Sequence, residues 1–172
     1  LQSAVRRSCV KPIAATRIFD EMPAMGDVLG RRVTVLGSTG SIGVNTLDVI
    51  AHVRKLQGPD AMPIAALTAG DNVKLLIEQA RAMRPALAVI GNESLLDELR
   101  AGLAGTGIEV AAGRKAVIDA AARPSDFVMV AIIGAAAIEP ALQAVRRGVI
   151  VALANKECVV AAGAVFRDAM KK

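Results

Sequence analysis

From Val33 onward, short apolar runs alternate with segments whose apolar residues recur at helical spacing, a rhythm that predicts successive βαβ crossovers. The first run, Val33–Leu36, breaks on a glycine and restarts as a helix over about Ser41–His52, in which Ile42, Leu47, Val49 and Ile50 are expected to cover the sheet. A loop over Lys55–Met62, carrying Gly58 and Pro59, leads to a second strand at Pro63–Thr68. An Asx residue after Ala69 can cap a helix from Val73 to about Met83, which Pro85 stops. Next come a strand at Ala86–Ile90, a helix over about Glu93–Leu103, a short strand near Ile108–Ala111 and a helix over Arg114–Ala122. Phe127–Ile133 is wholly apolar and is expected to be central; it runs through Gly134-Ala-Ala-Ala137 into a helix over Glu139–Arg147, with Pro140 at a permitted first-turn position. A strand at Val149–Leu153, apolar on both faces, and a helix over Val159–Met170 complete the series. The expected class is α/β: a Rossmann-like, doubly wound, mostly parallel sheet with right-handed crossovers.

Composition agrees with a packed parallel sheet. Hydrophobic residues make up 53% of the 172 positions and aromatics only 2%, so the core must be built from Ala, Val, Leu and Ile. The net charge of +5 does not mark a nucleic-acid surface: residues 1–32 carry six Lys or Arg against three Asp or Glu, and the remainder is nearly balanced at fifteen against thirteen. Residues 31–172 read as the folded domain and 1–30 as a disordered or targeting-like extension; the alternative to targeting is an untranslated or poorly ordered stretch before an internal start at Met25. Cys9 and Cys158 are far apart, with no Cys/His cluster, which fits a reduced, cytoplasmic setting, and Asp20, Glu21 and Asp27 weaken an organellar-targeting reading of residues 1–30. The longest apolar run, Phe127 to Leu142, is cut by Gly134, Glu139 and Pro140, which argues against membrane insertion.

The candidate chemistry begins at Gly37-Ser-Thr-Gly-Ser-Ile-Gly43, a glycine-rich turn between strand and helix. Its Gly-x-x-Gly-x-x-Gly spacing departs from the usual Gly-x-Gly-x-x-Gly, but its context is that of a dinucleotide-binding loop. Thr39, Gly40, Ser41 and Ile42 would face a pyrophosphate with N–H groups and hydroxyls. Asp71 follows the second strand, where such domains read the adenosine ribose; a carboxylate there accepts from a free 2′-OH, repels a 2′-phosphate and by that rule favours NAD. Asp71 is equally placed to be only the cap of the next helix, a role Asn72 could take instead. Asn155-Lys-Glu157 stands beyond the last strand, and Lys156 is the best candidate for holding an anionic or oxygen-rich substrate while its neighbours hold a cofactor ribose. The alternative for Lys156 is an ion pair with Glu157 or an exposed turn. His52 and Cys158 read as structural, and no paired carboxylates or His-rich spacing offer catalytic or metal-ligating groups in this chain.

Gly37-Ser-Thr-Gly-Ser-Ile-Gly43, Ala69-Gly-Asp-Asn-Val73, Ala131-Ile-Ile-Gly-Ala-Ala136 and Leu153-Ala-Asn-Lys-Glu157, in this order, resemble the N-terminal domain of the 1-deoxy-D-xylulose 5-phosphate reductoisomerases. The resemblance runs from about Arg32 to the end. It implies an NADPH- and divalent-metal-dependent (Mg or Mn) enzyme of non-mevalonate isoprenoid biosynthesis, a homodimer when full-length. That enzyme rearranges 1-deoxy-D-xylulose 5-phosphate and reduces the product to 2-C-methyl-D-erythritol 4-phosphate. Carried over, it implies that Thr39, Gly40, Ser41 and Ile42 hold the cofactor phosphates, and that Gly70, Asp71 and Asn72 lie at the adenosine end. Asn155 and Glu157 then contact the cofactor near the nicotinamide, and Lys156 contacts substrate. Asp71 replaces a residue often basic in the family, Ala137 a common glycine, Val149 a common lysine and Cys158 a usual serine. The resemblance also implies that metal ligands and most of the substrate site lie outside this chain, which alone is expected not to turn over. A different class of function, a non-catalytic NAD(P)-sensing module, uses the same crevice.

Overall fold

The computed structural model of the chain describes residues 28–171, so the expectation for an N-terminal extension falls, up to residue 27, outside the described residues. Leu29 is already joined to the fold, its carbonyl accepting from the Met62 N–H at 2.7 Å. Six strands form one sheet: β1 Val33–Leu36, β2 Ile64–Ala69, β3 Leu87–Ile90, β4 Glu109–Ala112, β5 Phe127–Val130 and β6 Ile150–Leu153. Their order is β4-β3-β2-β1-β5-β6, and every pair is parallel. The α/β, doubly wound expectation holds. Chain order reverses between β1 and β5, and Leu36 is level with Thr68 on one side and Val130 on the other, so the strands end along one edge.

The connections are helical: α1 Ser41–Gln57, α2 Val73–Met83, α3 Leu96–Gly102, α4 Gly113–Ala122, α5 Ile138–Arg146 and α6 Lys156–Met170. Alternation along β1 divides the core in two. Val33 and Val35 face a cluster with Leu47, Ile50, Val73, Leu76 and Leu99 from α1, α2 and α3. Leu36 joins the opposite cluster with Ala120, Ala121, Ala141, Ala144 and Phe166 from α4, α5 and α6. These four alanines are fully buried, and their small side chains let α4 and α5 approach closely in a core almost without aromatics.

Several boundaries differ from the sequence reading. The buried stripe of α1 is Gly43, Leu47 and Ile50, whereas Ile42 and Val49 are 43% and 61% exposed. At 100° per residue, Ile42 and Val49 lie about 140° and 160° around the helix from Leu47, on the side away from the buried stripe. The helix also continues past His52 to Gln57, so its last-turn cations are Arg54 and Lys55. The Glu93–Leu103 helix is split into a 3-10 turn at Glu93–Leu95 and α3. The β5 strand stops at Val130, and Ala131–Ile133 leave the sheet. Instead of lying covered on both faces, β6 is the edge strand among the described residues, with Ile150 49% exposed. The final helix starts at Lys156, three residues earlier than its apolar pattern indicates, because Asn155 caps it.

Two arginines lock the amino-terminal edge. Arg54 donates to the carbonyls of Ala61, Met62 and Met83, and Arg147 to those of Ala121 and Ser125. These guanidiniums are committed to structure, and burial lowers the pKa of each from its ordinary value. The Thr34 hydroxyl is fully buried on the α4–α5 face of β1 without a hydrogen-bond partner. Thr34→Val removes that orphan at nearly constant volume and is expected to raise unfolding free energy by roughly 1–3 kcal/mol in urea denaturation. An unchanged or lowered midpoint would mean that the hydroxyl has a partner in solution.

Candidate cofactor-binding site

The site is built on the turn between β1 and α1. Gly37 adopts φ +83°, and a Cβ there would lie 2.8 Å from the carbonyl carbon and oxygen of Ala131 at the end of β5. Only glycine lets the turn pass this close to the neighbouring strand. Gly43 is equally constrained, since a Cβ there would collide with the Gly37 carbonyl and the Ser38 backbone. The first helical bond of α1 is Val44 N–H to Gly40 O at 2.8 Å, which leaves the N–H groups of Ser41, Ile42 and Gly43 in the open first turn. No side chain caps this N-terminus, whose N-cap is Gly40. Thr39 and Gly40 are partly exposed and Ser41 and Ile42 exposed. An uncapped, positively polarised helix start at the reversal of strand order fits a pyrophosphate.

Three residues that sequence reasoning missed hold this turn. Thr68, at the end of β2, accepts the Gly37 N–H at its Oγ1 and at its carbonyl, both at 3.0 Å, and takes the Ser38 N–H at 2.7 Å. Ser38 is fully buried; its hydroxyl donates to Gln79 Oε1 at 2.7 Å, and Gln79 Nε2 donates back to the Ser38 carbonyl at 2.9 Å. The available signal was a threonine closing an otherwise apolar strand and a glutamine one position from the buried Ala80 of α2.

Beyond β2, Asn72 is the cap of α2, its Oδ1 accepting from the Leu75 N–H at 3.2 Å. Asp71 does not cap; its Oδ1 accepts from Asn92 Nδ2 at 3.0 Å. Asn92, a fourth residue not anticipated, is docked by its own N–H to the Gly70 carbonyl at 3.1 Å. Gly70, Asp71 and Asn72 are all exposed.

At the other end of the row, Asn155 is 6% exposed and its amide is engaged on both sides. Nδ2 donates to the carbonyls of Ile132 and Gly134 at 2.8 and 2.9 Å, while Oδ1 accepts from the N–H groups of Glu157 and Cys158. Asn155 therefore fastens the start of α6 to the segment after β5. Lys156 is exposed at the first position of α6, and no ion pair joins it to Glu157. Glu157 is partly exposed in the first turn. The Cys158 thiol is buried, and burial together with nearby Glu157 pushes its pKa up, which keeps it protonated and unreactive. His52 is exposed on α1. Among the described residues, no three His, Cys, Asp or Glu side chains converge to hold a metal.

The structure thus lines up Asp71, Gly37–Ile42 and Asn155–Glu157 along the carboxyl edge, linked through Asn92–Gly70, Thr68–Gly37, Gly37–Ala131 and Ile132–Asn155. The sequence profile of 1-deoxy-D-xylulose 5-phosphate reductoisomerase matches residues 33–163. This chain belongs to that family. It is 57% identical over 141 residues to the reductoisomerase of Rhizobium rhizogenes, covering 82% of this chain and 35% of that protein. With the Caulobacter vibrioides reductoisomerase it shares 57% identity over 133 residues, 77% of this chain and 32% of the other. The fold superposes on the Zymomonas mobilis reductoisomerase in complex with NADPH with a TM-score of 0.77 at 45% identity, covering 82% and 36% of the two chains. A reductoisomerase structure with NADPH, fosmidomycin and magnesium gives 0.72 at 30% identity, covering 82% and 34%. The chain spans about a third of the length of the reductoisomerases it matches.

The Ser38–Gln79 clamp gives a test of how the candidate Gly37–Gly43 turn is held. Gln79→Leu leaves the buried Ser38 hydroxyl and carbonyl unpaired and is expected to cost roughly 1–3 kcal/mol of stability and to weaken NADPH binding about tenfold or more. Urea denaturation and a nicotinamide-fluorescence titration read the two effects. NADPH affinity within twofold of the parent would show that the clamp does not shape the turn.

Proposed function

We propose that the protein to which this chain belongs is an NADPH-dependent reductoisomerase that converts 1-deoxy-D-xylulose 5-phosphate to 2-C-methyl-D-erythritol 4-phosphate in non-mevalonate isoprenoid biosynthesis. This chain is its cofactor-binding part. The observation that carries the reading is the uncapped start of α1, pinned where the strand order reverses, in a chain of the reductoisomerase family.

In this reading, the N–H groups and hydroxyls from Thr39 to Ile42 hold the cofactor phosphates, and Gly70, Asp71 and Asn72 border the adenosine. Bound NADPH supplies a hydride to the aldehyde formed by skeletal rearrangement. Asn155 acts through its backbone and by orienting α6; its side-chain amide is already engaged. Glu157 lies beside it, toward the nicotinamide. Lys156, exposed at the start of α6, combines its ammonium with the positive end of that helix to attract an anionic, oxygen-rich substrate. The described residues do not fit a divalent metal, so in our reading magnesium or manganese is held by sequence outside this chain, and this chain alone does not turn over. A homodimer and a cytoplasmic setting complete the proposal.

The test is NADPH oxidation by the full-length enzyme when 1-deoxy-D-xylulose 5-phosphate is added with magnesium. NADPH binding without substrate-dependent oxidation would leave only the cofactor module standing. Lys156→Ala is expected to reduce kcat/KM for the sugar phosphate by roughly 30-fold or more, as loss of one partner of a desolvated charge pair does, with NADPH affinity unchanged. An unaltered KM and kcat would assign Lys156 to structure.

A further inference from the structure

We propose that Ile133 is the apolar surface on which the nicotinamide ring of the cofactor packs, held in place for that contact by Asn155. The inference deepens the proposed function and rests on the Gly37–Gly43 turn being the cofactor's phosphate loop.

At 87%, Ile133 is the most exposed large apolar side chain among the described residues, although it follows closely on the apolar strand β5. Its predecessor Ile132 continues the inward alternation of Val128 and Val130 and packs against the cluster under α4 and α5. Ile133 has the opposite parity, that of Phe127 and Met129, which pack on the α1 side of the sheet. It stands three residues beyond the end of β5, where neither strand nor helix covers it. A single exposed apolar residue is ordinary on a protein surface, but this one is fixed from both sides. Asn155 Nδ2 donates to the carbonyl before it, on Ile132, at 2.8 Å and to the carbonyl after it, on Gly134, at 2.9 Å. Two residues upstream, Ala131 donates its N–H to the Leu36 carbonyl at 2.8 Å and lies against Gly37. The buried Asn155 amide thus uses its donors to hold one β-branched apolar side chain toward open space. Ordering in advance removes part of the entropy cost of binding.

Its place along the carboxyl edge selects the ligand group. The strands run in the order β2-β1-β5-β6. With the pyrophosphate on the turn after β1 and the adenosine toward β2, the nicotinamide half of the dinucleotide extends over the end of β5 toward the start of α6. Ile133 lies on that path, between Ala131, which borders the phosphate turn, and the Asn155-Lys-Glu157 segment. An isoleucine side chain offers nothing to a phosphate or to a ribose hydroxyl. The dihydronicotinamide ring is flat and uncharged, and packing its face on Ile133 removes apolar surface of both partners from water. Residues 131–137 contain no charged side chain, so no ionic group beside Ile133 opposes that contact.

The experiment measures, by calorimetric titration of the full-length enzyme, the dissociation constants of NADPH and of adenosine 2′,5′-bisphosphate, which lacks the nicotinamide half, with urea unfolding midpoints alongside. We expect Ile133→Ala to weaken NADPH about five- to twentyfold and the bisphosphate less than about twofold, with an unchanged midpoint because the side chain is exposed. Ile133→Val, which keeps the branched surface, is expected to stay within about threefold of the parent for NADPH. Asn155→Ser retains an oxygen to cap α6 but loses both long-range bonds, and is expected to weaken NADPH selectively in the same way. NADPH affinity within twofold of the parent in Ile133→Ala overturns the inference, as does equal weakening of both ligands. A lowered midpoint with intact NADPH affinity overturns it too, since Ile133 would then be covered by another part of the protein. Unchanged NADPH affinity in Asn155→Ser removes the positioning role from Asn155. If the parent binds neither ligand, the reading of the turn as a phosphate loop fails, and this inference with it.

Discussion

The turn after β1 passes so close to the end of β5 that a single added carbon at Gly37 would sit 2.8 Å from the Ala131 carbonyl. Much of the site follows from that contact. It joins the two strands between which the chain order reverses, and it sets where α1 begins. Gly43 repeats the constraint half a turn into the helix, where a side chain would strike the Gly37 carbonyl. The helix start is thus held against the sheet by backbone contact, and its open N–H groups remain available for a ligand rather than being satisfied by a capping side chain.

Around this contact the carboxyl edge is a continuous structure rather than four separate loops. Thr68 and Gln79 hold the turn from the β2 side, Ala131 and Ile132 border it from β5, and Asn155 ties the start of α6 to the same border. Ser38, Thr68 and Asn155 are buried polar groups that would be costly to leave unsatisfied, so these bonds hold the turn and the start of α6 in fixed relation to the strand ends. In the proposed function Lys156 and Glu157 stand toward the chemical end, in a chain that spans about a third of its relatives' length.

Much of this was legible in the residues. The turn at Gly37–Gly43, the α2 helix and all six strands follow from apolar rhythm and glycine placement, because local sterics and face-alternating burial dominate there. The NAD preference first read from Asp71 and the NADPH carried by the family resemblance meet at one side chain, which the structure frees from the capping role. What was misplaced depended on neighbours far along the chain. Ile42 and Val49 are apolar yet exposed, and β6 is apolar yet at an edge, because hydrophobicity states a preference for burial without saying what is available to cover it.

The sequence by itself determined the alternation of strands and helices, the position of the phosphate turn, and the residue types at the strand ends. Those depend on backbone freedom and on periodicity within a few residues. Only the tertiary structure decided that Asn72 caps while Asp71 stays exposed, that Asn155 is fastened to Ile132 and Gly134, and that Ser38, Thr68, Gln79 and Asn92 belong to the site. These assignments rest on hydrogen bonds spanning up to 41 positions of sequence, and such partners become neighbours only when parallel strands are brought side by side by their crossovers.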